Sequence, residues 1–124
     1  MEKEKTCKIV FSDIDGTLLT SDGQITEGTK EMILNLEKKG IPFILTSARS
    51  PEGVRVIKRM LGNHAPIIAF CGGLILDNDG NEIYSKMIPL KRALELKAML
   101  DKDFPAVACN TFGGEKWIVD DRDD

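Results

Sequence analysis

Two aspartates spaced by one residue, Asp13 and Asp15, leave the end of an apolar run, and Gly16 and Thr17 follow at once. A carboxylate that is ionised at neutral pH can act as the nucleophile of phosphate-ester hydrolysis, provided a cation offsets its repulsion by the phosphate. Mg²⁺ suits that duty, because a hard cation prefers oxygen ligands. A second carboxylate placed as Asp15 is can protonate the departing oxygen and later activate water. Gly16 permits close approach of the backbone, so that amides after Asp13 can cradle phosphoryl oxygens, and the Thr17 hydroxyl can brace the turn. The bland alternative for this group is an Asp- and Gly-rich turn after a strand. Ser47, Ala48 and Arg49 leave a second apolar run. Taken alone, Ser47 is a turn cap and Arg49 a surface charge.

The elements that must carry these residues are legible in the pattern. Cys7 to Ser12 is a short apolar run rich in β-formers and predicts a buried strand. Thr26 caps a helix through about Lys39, with Met32, Ile33 and Leu36 on one face and Gly40 behind it. Ile41 to Thr46 predicts a second strand, with Pro42 tolerable near its start. Ser50, Pro51 and Glu52 open another helix to about Leu61, closed by Gly62, and Ile67 to Phe70 predicts a third strand. Strand, helix, strand, helix, strand with short connections specifies a Rossmann-like α/β fold, a parallel sheet with right-handed crossovers. In such a sheet ligands bind beyond the carboxyl ends of the strands, which is where both candidate groups fall. A hairpin follows, Leu74 to Asp77 and Glu82 to Met87 about Asn78-Asp79-Gly80-Asn81. After it come a helix, Leu90 to Leu100, and strands at Ala106 to Thr111 and Glu115 to Val119. This divides the chain into a core, 1–73, and a small α+β segment, 74–124.

The 124 residues, with 42% hydrophobic and 30% charged, suit a globular chain of one core and an appendage. A net charge of −3 gives no electrostatic footprint for nucleic acid or an anionic membrane. No run approaches the ~20 apolar residues that span a bilayer, and the N-terminus lacks a signal peptide's apolar stretch, so a cytoplasmic location is expected. Cys7, Cys71 and Cys109 show no metal or disulfide spacing and are expected as reduced thiols in or near a core. His64 and the Lys86, Lys91 and Arg92 charges are expected in solvent, and Trp117 in packing.

The run Asp13-Ile14-Asp15-Gly16-Thr17-Leu18-Leu19 resembles the D-x-D-G-T-L signature of the haloacid dehalogenase superfamily. Ile44 to Arg49 resembles the family's second motif and the T-G-R of its Cof-type sugar-phosphatase branch, with Ala48 in place of Gly. Phe70-Cys71-Gly72-Gly73 resembles the branch's N-G-A segment, with Cys71 in place of Asn, and leads into the cap. The resemblance implies a Mg²⁺-dependent phosphatase of small phosphorylated metabolites such as sugar phosphates, acting through an aspartyl-phosphate. It implies Asp13 as nucleophile, Asp15 as general acid and base, and both as metal ligands. Ser47, Gly16 and Arg49 would bind phosphate, and Gly72 and Gly73 would be hinge glycines. The family's lysine and distal acidic motifs have no counterpart here, and Asp120 to Asp124 does not fit the latter. A phosphomutase is the enzymatic alternative. A non-catalytic module, self-associating as a homo-oligomer through an open sheet edge, is the alternative of another class.

Overall fold

A computed structural model describes residues 7–120. These fall into two compact units that divide between Ser85 and Lys86. The first holds strands β1 (Val10–Asp13), β2 (Phe43–Thr46), β3 (Ile67–Ala69), β4 (Leu74–Leu76) and β5 (Glu82–Ser85), with helices α1 (Glu27–Lys38) and α2 (Pro51–Leu61). The sheet order is β1-β2-β3-β4-β5, parallel through β3 and antiparallel beyond it. The hairpin β4–β5, read from the sequence as the start of the second segment, is therefore hydrogen-bonded onto the sheet of the first.

Local chemistry explains the element ends. Pro42 has no N–H, and its carbonyl instead accepts from Val10 at 3.0 Å, so the β1–β2 ladder begins there rather than at Cys7 or Ile41. Thr26 caps α1, accepting from the Thr29 amide, and Ser50 caps α2, accepting from Gly53, with Pro51 in the first turn. Gly62 closes α2 in the left-handed region, donating to the Lys58 carbonyl at 2.8 Å. Val54, Ile57 and Leu61 lie at helical spacing and are buried with Leu45, Ile67, Leu74 and Leu76 in one core. Burying each such side chain stabilises by about 1.5–3 kcal/mol. Lys58 spans α2, the loop after it and the hairpin, donating to the Ala65 carbonyl at 2.6 Å and to Asn78 Oδ1 at 2.8 Å. Asn63 anchors the same loop by donating to the Phe43 carbonyl at 2.8 Å.

The second face of the sheet is different. The register pairs Phe11 with Ile44, Ile68 with Ile75 and Ile75 with Tyr84, so most of it is lined by apolar side chains, with Thr46 beside Ile68 and Asp13 beside Thr46. Phe11 is 56% and Tyr84 48% exposed.

The second unit contains α3 (Leu90–Asp103) and a two-stranded antiparallel sheet of β6 (Asn110–Gly113) and β7 (Lys116–Val119). Phe112 and Trp117 stack across the hairpin with ring centroids 6.1 Å apart, and Trp117 Nε1 donates to Asn110 Oδ1 at 3.1 Å. Lys97 pairs with Asp101 one turn on in α3 at 2.7 Å and ties the helix to Asp120, just after β7, at 3.1 Å. No residue of α3, β6 or β7 is buried. None of the described helices is long and apolar enough to cross a membrane.

Candidate active site

Asp13 is the last residue of β1 and faces Thr46, the last of β2, in parallel register. Asp15 and Ser47 follow these two strand ends, so both loops leave the same edge of the sheet. Between the two aspartates Ile14 is wholly buried, and its carbonyl accepts from the amides of Leu18 at 3.0 Å and Leu19 at 3.1 Å. The chain thus wraps about one apolar plug while both carboxylates stay exposed. Gly16 sits at φ +73, which only glycine adopts without strain, and a Cβ there would touch nothing within 4 Å. The turn's conformation, rather than crowding, requires the glycine. Thr17 Oγ1 donates to Asp13 Oδ2 at 3.3 Å, the bracing contact expected of that hydroxyl.

Ser47 is buried, and its Oγ accepts from the Arg49 amide at 3.1 Å. Arg49 reaches back 34 residues to Asp15: Nε donates to Oδ2 at 2.8 Å and Nη2 to Oδ1 at 2.6 Å. This bidentate pair holds Asp15 below the usual carboxylate range, chiefly through the hydrogen bonds and secondarily through charge, and raises Arg49 correspondingly. In this state both oxygens of the Asp15 carboxylate are engaged, and the pair must open before that group can accept or donate a proton. A depression of about 520 Å³ lies beside it, lined by Asp15, Gly16, Arg49 and part of the following loop. A second depression, about 550 Å³, is lined by Lys58, Asn63 and Ile67 at the start of β3, away from both strand ends that carry the aspartates and Ser47.

The loop that carries Ser47 and Arg49 is held by the single 3₁₀ turn Phe70–Gly72 after β3. Phe70 N donates to the Arg49 carbonyl and Cys71 N to the Ser47 carbonyl, each at 3.0 Å. Three consecutive positive φ angles, +50 at Phe70, +54 at Cys71 and +92 at Gly72, make those bonds possible. Strain of this kind persists only where surrounding structure enforces it. Nothing in the residue types of Phe70 and Cys71 signals that conformation, and sequence reasoning missed it. It also places Cys71 wrongly: expected in or near a core, Cys71 is exposed because the left-handed turn lifts it out, Cys7 is exposed ahead of β1, and Cys109 is half-buried. His64 is in solvent as expected, its side chain 79% exposed.

The family model of haloacid dehalogenase-like hydrolases matches residues 10–124. The chain belongs to this family. Among curated relatives, a Haemophilus influenzae protein named "Putative phosphatase" is 36% identical over 124 residues, spanning 93% of this chain and 47% of that protein. Among solved structures, a haloacid dehalogenase-like hydrolase from Bacillus subtilis superposes with a TM-score of 0.78 at 25% identity, covering 89% of this chain and 38% of the other. A subclass IIB sugar phosphatase of the same superfamily superposes with a TM-score of 0.71 at 23% identity, covering 90% and 43%, and shares the fold. This hydrolase-family chain spans less than half the length of these relatives.

The family implies Mg²⁺, and the donor set here accommodates it. Asp13 is an exposed carboxylate at the strand end, with one oxygen in a long contact to Thr17. The Asp15 carboxylate is engaged by Arg49. Mg²⁺ is commonly held by one or two carboxylates, waters and substrate phosphate, so a sparse protein set suits it. Among the described residues no three His, Cys, Asp or Glu side chains converge on one point.

Proposed function

We propose that this chain provides the nucleophile, the acid–base group and a phosphate-binding loop of a phosphatase acting on small phosphorylated metabolites, such as sugar phosphates. The observation that carries this reading is the meeting of two loops at one sheet edge, where the pair between Arg49 and Asp15 joins the Asp13-Asp15 turn to the Ser47 loop.

In the proposed reaction Asp13 Oδ attacks phosphorus, the bond from phosphorus to the ester oxygen breaks, and Asp15 gives its proton to that oxygen. Water then attacks the aspartyl-phosphate, its proton passes to Asp15, and inorganic phosphate leaves with Asp13 restored. Ser47 Oγ and the amides around Gly16 would hold phosphoryl oxygens. The sequence reading gives Arg49 that duty as well. Asp13 through its carboxylate and Asp15 through its carbonyl would hold Mg²⁺, which when bound offsets negative charge on the phosphoryl oxygens. The 70–73 turn joins β3 to the hairpin of the same sheet, and a cap would begin with the unit after Ser85. The test is turnover of an aryl phosphate with Mg²⁺ by the chain and by Asp13→Asn. Turnover lost in the variant supports the proposal, and turnover unchanged in it contradicts it.

A second reading, self-association, rests on a separate observation. Among the described residues strand β1 is paired on one side only, and Phe11 and Tyr84 on the second face are exposed. An open apolar edge invites pairing with another strand, and the occupant proposed is a second copy of this chain.

A further inference from the structure

The family resemblance gives Arg49 to the phosphate, whereas in this structure two of its three guanidinium nitrogens are turned to Asp15. Both Asp15 oxygens accept from the same guanidinium, through Nε at 2.8 Å and Nη2 at 2.6 Å, which is the fork arrangement that fixes a carboxylate in both position and plane. The arginine is itself seated from three directions. Its amide donates to Ser47 Oγ at 3.1 Å and its carbonyl accepts from Phe70 N at 3.0 Å. Its aliphatic stem lies against Gly53 in the first turn of α2, where an added Cβ would come within 3.1 Å of Arg49 Cβ and 3.5 Å of Cδ. Glycine inside a helix is unfavourable by roughly 0.5–1 kcal/mol relative to alanine. Its φ at Gly53 is ordinary, so room for the Arg49 stem is the one feature there that calls for it.

We infer that Arg49 is a positioning residue that acts through Asp15, fixing the plane of that carboxylate at the sheet edge, and is not a ligand of the phosphate. The inference rests on the proposed role of Asp15 as the proton-transferring group. It assigns Gly53 as the residue that makes space for the clamp. It also assigns the left-handed turn at Phe70 and Cys71 as the support that sets the height of the Arg49 loop.

The test uses the whole chain with Mg²⁺ and inorganic phosphate. The Nε–H resonance of Arg49, assigned by its loss in Arg49→Lys, is followed by nitrogen-15 NMR, and phosphate affinity is measured by calorimetry. The clamp predicts a shifted, exchange-protected Nε–H signal that collapses in Asp15→Asn and stays put when phosphate is added. It predicts phosphate affinity in Arg49→Gln within about twofold of the parent, the pattern of a group that does not bind the ligand directly. In Gly53→Ala, which removes no charge, the signal should broaden or shift because the stem is displaced. A signal that follows phosphate and ignores Asp15→Asn, or a tenfold or greater loss of phosphate affinity in Arg49→Gln, overturns the inference. If the parent chain binds no phosphate at all, the phosphatase reading fails, while the Nε–H signal in the parent and in Asp15→Asn still decides for or against the clamp.

Discussion

Residue by residue, the site is organised by alternation: Ile14 goes into the core, and Asp13 and Asp15 go out. Truncating a fully buried isoleucine to alanine costs about 2–5 kcal/mol. Ile14→Ala should therefore lower the urea midpoint clearly and also disturb both carboxylates, since the turn is drawn round the Ile14 carbonyl. Gly16→Ala should cost roughly 1–2 kcal/mol through its positive φ alone, measured by the same titration, because space for the methyl exists. A near-neutral Gly16→Ala would mean that the turn relaxes to another conformation. The aspartate turn was readable in the sequence because its residue types each have a steric or chemical reason. The clamp between Asp15 and Arg49 was not, because a pairing across 34 positions is set by the β1–β2 register and by Gly53, neither of which announces a partner.

The elements were legible where caps and periodicity agree. Helix α2 shows its cap, its first-turn proline, its apolar stripe and its closing glycine in order, and begins and ends as expected. The ladder at β1 starts late because Pro42 cannot donate and Cys7 to Ile9 lie outside the pairing, features that a run of apolar letters does not reveal. Leu61→Ala in α2, fully buried, should cost about 2–5 kcal/mol. Leu94→Ala in α3, 61% exposed, should cost no more than about 0.5 kcal/mol by the same denaturation. The hairpin turn offers a pH test. Asp77 accepts from the amides of Asp79 at 2.9 Å and Asn81 at 2.8 Å and from the Asn81 side chain at 2.9 Å, and these bonds lower its pKa. A carboxyl lowered on folding contributes stability above its unfolded value, about 4, and loses it as pH falls through the folded value. The stability gap between the chain and Asp77→Asn should hold at neutral pH and close below about pH 4. A gap that persists into acid would show that Asp77 acts by shape rather than charge.

At the scale of the whole molecule, the first unit has a core on one face of its sheet and an apolar, half-open second face. The second unit buries no residue of its helix or strands. Exposed apolar area of this extent is unusual for a chain that stays alone in water. Light scattering should give at least twice the mass of one chain, and Phe11→Lys, which places a charge on the open edge strand, should lower it. A strict monomer that Phe11→Lys leaves unchanged would show that this face is not an interface between copies.

The central claim, that Asp13 takes the phosphoryl group, is tested most directly by locating that group. The chain is mixed with Mg²⁺ and an aryl phosphate, quenched in acid, and reduced with borohydride, which converts an aspartyl-phosphate to homoserine. Peptide mass spectrometry then reads the position. Homoserine is expected at residue 13, and none there in Asp13→Asn. Homoserine at another aspartate, or phosphate release undiminished in Asp13→Asn, would contradict it.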